Sequence, residues 1–540
     1  MYRLLGTGDI QAGGAGGSTT YEALQKADAA WSKLRNSKAG REAGAPPEFV
    51  KTSATPLPCA PEFDAVVCGG TLGIFLACAL LLKGYRVAVV ERGPLRGRSQ
   101  EWNISRKELA ELVASGVATA EEAEECVSSE FNPVRAGFHG SPDVWTRDVL
   151  NLGVRPDRII AKVRQRFEAK GGMVLEFASA AGVTVHPNGV ALTAGSEDAG
   201  FGGAEGVLTA RLLVDSTGNF GPMVQQARWG LRPDSVCLVV GACCRGFDDN
   251  TTGDVIYTNT DLNATGQYFW EAFPAGSGPS DRTTYLFTYL DADPRRPSLE
   301  SLMEEYWRLM PAYQSVRLKT LQPLRILFGY FPTYRGSPLA PAWDRVLQVG
   351  DASGIQSPLS FGGFGALTRH LHRLQNAIGE ALEADALDRA ALGAINAYNP
   401  GLSSAWMLQR AMSVRPGRQP APDFVNKLLG ANFAAMAQRG DPVLRPFLQD
   451  VVRFGPLGAT LLGQVQTQPG SIPAILAHVG VLPILDWTRH FLALGMYTAL
   501  HRLARPAVAA AADRLGPSAR FRLRRTLDAW EYGSGADFRL

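Results

Sequence analysis

Glycines and acidic residues stand together at three points of the chain, each at the end of an apolar run. The first point is the segment VVCGGTLG, Val66 to Gly73, which is followed later by Glu91. It matches the pattern G-x-G-x-x-G except that Cys68 stands in place of the first glycine. In this pattern the backbone approaches a pyrophosphate at a helix N-terminus, and an acid about 20 residues further on binds ribose hydroxyls. The segment therefore predicts a dinucleotide site.

Cys68 is the one departure from this pattern, and the predicted turn tolerates it. Gly69 and Gly70 still allow the backbone to come close to a phosphate, and a cysteine side chain is small. We therefore expect Cys68 to end its strand in an ordinary β conformation, with φ below zero.

The other two points predict the rest of a flavin site. LLVDSTG is an apolar strand that ends in Asp215 and is followed by Gly218, and VLQVG leads into Gly350 and Asp351. A carboxylate at such a strand end suits a bond to a ribityl hydroxyl. The glycines of QSPLSFGGFG, Gln356 to Gly365, then lead into a helix whose N-terminus would face the flavin. Three such elements in this order indicate FAD.

The first segment lies in a βαβ unit, which makes the incomplete glycine pattern more specific. Phe63–Val67 is a short apolar run typical of a buried parallel strand. Gly69–Lys83 predicts a helix that is apolar nearly all round and therefore buried, with Gly84 as its stop. Tyr85–Val90 predicts the second strand, and Glu91 follows it directly.

The remaining chain predicts a second sheet and a helical C-terminal region. Further strands are expected at 173–177, 182–187, 189–193, 208–214, 235–245, 268–273, 283–291 and 346–349, many with alternating apolar residues. Helices are expected from Gly362 to the end. The fold class is thus α/β, a Rossmann-type domain with an inserted antiparallel sheet. The expected domains are a flexible segment at 1–60 with one exposed helix at 21–35, an FAD-binding domain at 61–235 and 340–400, a substrate sheet at 236–339 and the helical region at 401–540.

Composition and charge exclude several classes of protein. The 540 residues have a formal net charge of +3, and no basic patch is interleaved with aromatic residues, so nucleic acid is not an expected partner. The seven cysteines are odd in number and contain no CxxC pair, which argues against a disulfide framework or a zinc site. No uninterrupted apolar run is long enough to predict a membrane-spanning helix.

Three longer motifs resemble those of one flavoprotein family. QEWNISRKEL (Gln100–Leu109), FNP (Phe131–Pro133) and GDASGIQSPLSFGGFGALTRHL (Gly350–Leu371) are similar to the lycopene-cyclase-like flavoproteins of cyanobacteria and plastids, the CruA/CruP type, and most to the CruP-like plastid paralog. Their fold is shared with p-hydroxybenzoate-hydroxylase-type monooxygenases and geranylgeranyl reductases. The resemblance covers roughly residues 63 to 487.

The resemblance implies FAD as cofactor, with NADPH as a candidate reductant, and a carotenoid or other polyene or isoprenoid as substrate. It also implies a peripheral protein of a chloroplast membrane, although no transit peptide is clearly recognisable. Residues matched to the family's cofactor site are Gly69, Gly70, Gly73, Glu91, Arg92, Arg106, Asp215, Gly218, Gly350, Asp351, Pro358, Phe361, Gly362 and Gly363. Arg106 would reach the pyrophosphate, and Pro358–Gly363 would lie beside the isoalloxazine ring.

The catalytic acid is less clearly marked. Plant-type cyclases carry a Glu-Glu pair where this chain reads LFTYLDAD, so the nearest carboxylate is Asp291, with Glu271 and Glu101 as alternatives. Asp291 can equally be a turn residue at a strand end. A carboxyl buried among aromatic rings would have a raised pKa and could donate a proton near neutral pH. The aromatic residues expected to line an apolar tunnel are Tyr268, Phe269, Trp270, Phe273, Tyr285, Phe287 and Tyr289.

The sequence is compatible with three functions, and its C-terminal apolar segments are compatible with a membrane-binding surface. The functions are a cyclase-like isomerase, a geranylgeranyl-reductase-like or monooxygenase-type oxidoreductase, and a non-catalytic redox-sensing partner of the carotenoid pathway. Ser471–Trp487 and His490–Leu503 are apolar but interrupted, which suits helices lying in a membrane interface or packed on the flavin domain. The basic run Arg520–Arg525 suits anionic lipid or a solvated face.

Overall fold

The computed structural model describes residues 11–12, 20–37, 44–195, 206–248, 250–360, 362–512 and 514–538. Its strands form three sheets, and most of its helices lie in the C-terminal third. The predicted fold class, a Rossmann-type α/β unit with a second sheet and a helical C-terminal region, is confirmed.

The Rossmann sheet carries the predicted βαβ unit. Its strands are β2 (Val50–Thr52), β3 (Phe63–Cys68), β4 (Val87–Val90), β10 (Met173–Leu175), β11 (Ser179–His186), β12 (Gly189–Gly195), β13 (Gly206–Asp215) and β19 (Val346–Gln348). Strands β10, β4, β3, β13 and β19 run parallel. Cys68 is in register with both Val90 and Asp215, so the carboxyl ends of three parallel strands meet at one edge. In open α/β sheets this edge is where ligands bind.

Helices cover the Rossmann sheet and bury their apolar residues against it and against one another. Helix α2 (Gly70–Leu82) packs against both α5 (Pro156–Ala169) and α8 (Gly363–Glu383), and its residues Ile74 to Leu80 are all fully buried. A small sheet of β5 (Trp102–Ile104), β6 (Val127–Glu130) and β9 (Leu152–Val154) lies beside them. The remaining helices of this part are α3 (Arg106–Ala114), α4 (Ala120–Glu124), α6 (Pro222–Ala227) and α9 (Arg389–Ile395).

The second sheet is mainly antiparallel and has eight strands in the order β1-β18-β14-β17-β16-β15-β7-β8. These are β1 (Gln11–Ala12), β7 (Val134–Gly137), β8 (Val144–Thr146), β14 (Ser235–Arg245), β15 (Gly253–Tyr257), β16 (Phe269–Pro274), β17 (Asp281–Leu290) and β18 (Gln322–Thr333). One face packs on α7 (Leu299–Gln314), and β7 and β8 come from within the range predicted for the FAD-binding domain. The domain boundaries themselves stay a prediction.

The N-terminal helix differs from the exposed helix expected at 21–35. Helix α1 (Thr20–Arg35) packs against α7 and β18, with Ala23 and Trp31 fully buried. The Trp31 indole N–H also donates to the carbonyl of Pro297 at 2.9 Å. Strand β2, also within the segment predicted to be flexible, pairs with β11. These contacts depend on partners far along the chain, which the local composition of the segment does not reveal.

The C-terminal region is helical as predicted. Its helices are α10 (Pro400–Met412), α11 (Phe424–Ala437), α12 (Asp441–Leu448), α13 (Phe454–Thr467), α14 (Ser471–Val479), α15 (Val481–Leu503), α16 (Arg505–Ala512) and α17 (Pro517–Ser534). Within the described ranges, no single helix is long and apolar enough to cross a membrane. Helices α14 and α15 meet at a bend of 101° and pass that test as a pair, by length and composition only.

Candidate cofactor and substrate site

The turn after β3 has the tight geometry that the glycine pattern predicts. Cys68 is the last residue of β3 and is absent from the left-handed backbone region, so the expected β conformation is confirmed. Gly69 follows with φ +92°, and a Cβ at this position would lie 2.5 Å from the carbonyl oxygen of Ser216. The strain therefore falls on Gly69, where only glycine fits, and leaves Cys68 unstrained.

Glu91 is held against the start of α2. Its carboxylate accepts a hydrogen bond from the Gly70 N–H at 2.7 Å and another from the Gly93 N–H at 3.1 Å. A Cβ on Gly70 would meet the Leu95 side chain at 2.7 Å, and one on Gly73 would meet Val67 at 2.7 Å. Gly73 thus allows the close packing of helix on strand that the pattern requires.

Asp215 and Asp351 both lie at the edge where the parallel strands end. One Asp215 oxygen accepts hydrogen bonds from the Thr217 N–H at 3.0 Å and from its hydroxyl at 2.6 Å. The other Asp215 oxygen and one oxygen of Asp351 are buried and have no hydrogen-bond partner among the described residues. Gly218 and Gly350, at φ +81° and +56°, make the turns beside these carboxylates.

Asp351 lies against the N-terminus of α8. A Cβ on Gly363 would come within 2.3 Å of the Asp351 carboxylate, which explains the glycine at this position. Burial raises the pKa of Asp351 to about 6, while the positive charge of nearby Arg98 opposes that rise. A buried carboxylate oxygen without a partner costs free energy unless a donor such as a ribityl hydroxyl satisfies it.

Two helix N-termini at this edge are available to an anion. The N-cap residues of α2 and α8 are Gly69 and Gly362, and neither helix has a side-chain cap. The Gly70 N–H at the start of α2 donates to Glu91, but the positive dipole ends of both helices and the remaining N–H groups of their first turns suit phosphate or a polarised ring oxygen. Together with the unpaired oxygen of Asp351, these features fit the flavin dinucleotide that the sequence predicts. Pro358 is buried in the loop before α8, and Phe361 lies outside the described residues.

Arg106 does not point to the predicted pyrophosphate site. Its guanidinium forms ion pairs with Glu124 of α4 and Glu130 of β6. Arg92 is exposed in the segment after Glu91. Arg98, which the sequence reasoning passed over, is the arginine whose charge reaches Asp351. The arginines that follow Glu91 in the sequence indicated a positive charge near the site. Which of them lies near Asp351 depends on the path of the loop, and the sequence does not give that path.

A large apolar cavity lies between the second sheet and the C-terminal helices, beside the loop before α8. It contains about 1040 Å³ of space free of atoms, part of which is open to solvent. Its floor includes Glu271, Phe287 and Tyr289 on β16 and β17, and Leu359 and Ser360 of the loop form one end. Its roof comes from α10 to α13, including Leu408, Met412, Leu429, Phe433, Met436, Val443, Phe447, Leu457 and Leu461. The sequence did not reveal this roof.

The alternation of side chains along the strands decides which aromatic residues face the cavity. Phe269, Phe273, Tyr285, Phe287 and Tyr289 lie on the side of the second sheet that packs with the cavity helices. Tyr268 and Trp270 point to the opposite face and pack against α7. The prediction that these two line the tunnel is therefore wrong, because neighbouring residues of a strand face opposite sides. The Tyr289 hydroxyl donates to the carbonyl of Leu359 and so ties the sheet to the loop.

Glu271 is one of two acidic residues that line this cavity. It faces Tyr285 across the β16–β17 pair, on the cavity side of the sheet. Burial, and next the charge of Asp450, raise its pKa from 4.5 to about 8. Asp450 also lines the cavity, and it accepts a hydrogen bond from the Ser360 hydroxyl. Glu271 is therefore a neutral acid at pH 7 within an apolar cavity.

The other two candidate acids lie outside the cavity, in ion pairs. Asp291 is 2.6 Å from the Arg296 guanidinium, which also donates to the carbonyls of Thr265 and Val414. Glu101 accepts from Arg325 at 3.3 Å and from the Gly276 N–H at 3.2 Å. Each of these two carboxylates is therefore paired with an arginine and does not line the apolar cavity.

Comparisons with known proteins extend these observations. No family model matches the sequence, and no curated protein matches it either. Solved structures are similar: a geranylgeranyl bacteriochlorophyll reductase-like protein from Thermoplasma acidophilum has a TM-score of 0.53 at 13% identity, covering 79% of this chain and 98% of that one. A single-residue mutant of halogenase PltM in complex with FAD has a TM-score of 0.53 at 11% identity, covering 86% of this chain and 99% of that one. The flavin-dependent brominase Bmp2 has a TM-score of 0.52 at 14% identity, covering 75% and 98%.

The chain has a Rossmann-type flavoprotein fold. At these identities the similarity concerns the fold and does not extend to a substrate. Within this flavoprotein fold, the glycine turn, Glu91, Asp215 and Asp351 occupy the strand-end edge, and the cavity with Glu271 and Asp450 lies beside the loop that leads into α8. Asp450 was missed by sequence reasoning because it stands in the helical region, far from any recognisable motif.

Proposed function

We propose that this chain is an FAD-dependent enzyme that protonates a carbon–carbon double bond of a polyene or other isoprenoid. The observation that carries the proposal is Glu271, a carboxyl with its pKa raised to about 8 on the wall of a deep apolar cavity. A neutral acid surrounded by aliphatic and aromatic side chains suits an alkene, which offers no charge and no hydrogen-bonding group to a binding site.

The residues proposed to hold FAD are those that fit it at the edge of the Rossmann sheet. Gly69, Gly70 and the N-terminus of α2 would bind the pyrophosphate, Glu91 the ribose, and Asp351 the ribityl chain. When bound, FAD would supply electron density or a hydride. Arg98, whose positive charge acts on Asp351, would add positive charge to this site for the anionic cofactor.

The cavity residues would perform the proton chemistry. Glu271 transfers its proton to a terminal alkene, and a carbocation forms on the neighbouring carbon. Phe287 and Tyr289 line the cavity on the adjoining strand, so their ring faces can stabilise that cation. The apolar roof of α10 to α13 would limit the access of water to the cation, which would favour ring closure over hydration.

The test is the conversion of lycopene by the complete chain loaded with FAD. Expression in a bacterium that accumulates lycopene is expected to yield ring-containing products, detected by chromatography and mass, without change in mass because cyclisation is an isomerisation. Lycopene recovered unchanged beside a protein with bound flavin would overturn the cyclase function. A purified chain unable to take up FAD would overturn the whole proposal.

Reduction of an isoprenoid double bond is the second candidate function. The fold similarity to the geranylgeranyl bacteriochlorophyll reductase-like protein favours it, and the same Glu271 could provide the proton. A product heavier by two hydrogens from a geranylgeranyl compound, formed without oxygen when NADPH or dithionite reduces the flavin, would identify a reductase. Oxygen-dependent NADPH consumption would identify a monooxygenase instead, and bound flavin without any turnover would favour the redox-sensing partner.

We also propose that α13 to α15 rest on a membrane surface, in keeping with the plastid membrane that the sequence resemblance implies. Leu482, Leu485, Leu492, Met496 and Leu503 are each more than half exposed, and their spacing places them along one side of α15. Helix α13 connects this surface to the cavity, because Leu457 and Leu461 line the cavity while Leu462 and Val465 are exposed. A substrate dissolved in lipid would have a continuous apolar path. Of the basic run 520–525, Arg525 is buried in ion pairs with Glu380 and Asp528.

Substitution of this apolar stripe should abolish vesicle binding. The double variant Leu482→Glu and Leu485→Glu is expected to lose at least tenfold in co-sedimentation with phosphatidylcholine vesicles, since two charges would enter the interface. Leu231→Glu is the matched control, because Leu231 is 59% exposed and Leu485 is 61% exposed. Equal binding of all three proteins would contradict the membrane surface.

A further inference from the structure

Asp450 holds an unusual place between α12 and α13. Its backbone has φ +62°, a conformation that a non-glycine residue adopts rarely and at a cost. Its carboxyl lines the same apolar cavity as Glu271 and accepts a hydrogen bond from Ser360, with Ser357 as a second hydroxyl partner. Both serines belong to the loop that leads into α8. The fold thus places a carboxyl from the C-terminal helices against the proposed cofactor loop.

The surroundings of the two carboxyls differ in one decisive way. Burial raises the pKa of Asp450, and hydrogen bonds from two serine hydroxyls, followed by the charge of Arg369 on α8, oppose that rise. The Glu271 carboxyl has no hydrogen-bond partner within the described part of the chain. The other titratable or charged groups near the pair are Tyr285 and Tyr289 on β17, Cys237 on β14, and Arg453, which lines the cavity. Two negative charges in one apolar cavity repel strongly, so the pair retains one proton, and it resides on Glu271.

We propose that Asp450 is the proton acceptor that completes the reaction begun by Glu271, the two carboxyls holding a single proton between them. The inference rests on the proposed function. The Glu271 O–H bond breaks as a C–H bond forms on the alkene, and the neighbouring double bond closes the ring by donating its electron pair to the cation. Asp450 then removes a proton from the carbon next to the new cation, which restores a double bond. Transfer of that proton from Asp450 to Glu271 returns the pair to its starting state with no oxidant or reductant consumed.

The proton count of the pair can be measured in the FAD-loaded protein without any substrate. Infrared spectra across a pH titration are expected to show one protonated carboxyl that is lost near pH 8 and is missing in Glu271→Gln. In Asp450→Asn the same group should lose its proton at lower pH, because a neighbouring negative charge has been removed. Glu304→Gln, on the exposed side of α7, is the matched control and should leave this titration unchanged.

A second variant tests the pair if Asp450→Asn fails to fold. Ser360→Ala keeps both carboxyls but removes a donor from Asp450, so the lower titration step of the pair should move to higher pH. With lycopene as the probe, Asp450→Asn should reduce turnover about a hundredfold, as loss of a general base does.

The outcomes separate the two proposals. Two carboxylates both ionised at pH 7, a Glu271 titration unmoved by Asp450→Asn, or a lower titration step unmoved by Ser360→Ala would overturn the shared proton. Full turnover in Asp450→Asn would overturn its role as the acceptor. A pair that titrates as expected in a protein that leaves lycopene unchanged would support the shared proton and reject the cyclase function.

Discussion

Replacing Gly69 by alanine is expected to abolish FAD binding and to lower the free energy of unfolding by about 3 kcal/mol or more. The added Cβ would lie 2.5 Å from the carbonyl oxygen and 2.7 Å from the carbonyl carbon of Ser216. Both are backbone atoms of the strand-end turn that follows β13, so no side-chain rotation can relieve the contact. The turn must move, and with it the N–H groups at the start of α2.

The chain contains a matched control for this substitution. Gly84, which follows α2, also has φ +92°, but a Cβ there would meet no atom within 4 Å. Gly84→Ala therefore places a side chain at the same φ without the collision, and should cost roughly 1–2 kcal/mol while flavin binding is kept. The measurements are denaturant unfolding and the flavin absorbance retained after gel filtration. Equal effects of the two substitutions would show that backbone strain, and not the approach of the Ser216 backbone, explains Gly69.

Replacing Glu271 by glutamine is expected to abolish proton-dependent turnover and to change how stability depends on pH. The pKa of Glu271 is about 8 in the folded chain against an ordinary 4.5, so between these values the folded state binds more protons than the unfolded state. The stability that this group contributes is complete below pH 4.5 and is lost as the pH rises through about 8. Glutamine does not ionise, so the variant should lack this loss.

The expected result is a difference that grows with pH. Thermal unfolding at pH 4 should give nearly equal midpoints for the wild-type chain and Glu271→Gln. At pH 9 the variant should be more stable by a few kcal/mol at most, since each pH unit of pKa shift corresponds to about 1.4 kcal/mol. Glu304→Gln should follow the wild-type chain at both values. A variant that is less stable than the wild-type chain at pH 9 would contradict a neutral Glu271.

The wild-type activity profile provides an independent check. Turnover that needs the protonated Glu271 should fall as the pH rises through about 8. An activity that instead increases through this range would point to the Glu271 carboxylate as the reacting form.

Much of the candidate cofactor site could be predicted from the sequence because its residues lie in short local segments. The turn at Gly69–Gly70, the acid at Glu91 and the carboxylate at Asp351 each follow a short apolar strand directly. In a parallel sheet the carboxyl ends of such strands meet at one edge, so residues far apart in the chain converge by topology alone. The substitution of Cys68 for the first glycine was tolerated for the reason expected, since the left-handed residue is Gly69.

Other elements could not be predicted because their stability comes from distant partners. Strand β18 begins QPL and ends FPT, so prolines at both ends hide a strand that pairs along most of β14. No sequence signal near Arg106 distinguishes an arginine that contacts phosphate from one that forms ion pairs with Glu124 and Glu130. Asp291, the carboxylate nearest to the expected motif, forms an ion pair with Arg296.

The sequence by itself determined the flavoprotein fold and the position of the glycine turn, because strand period, helix apolarity and glycine spacing are properties of short segments. Only the tertiary structure decided which acid could act. Glu271 was one of three carboxyls that the sequence could not separate, and Asp450 was not among them. Their roles depend on the apolar roof of α10 to α13 and on Ser360 across the cavity. The proton affinity of a carboxyl is a property of its surroundings, and those are assembled only when the helices pack over the sheet.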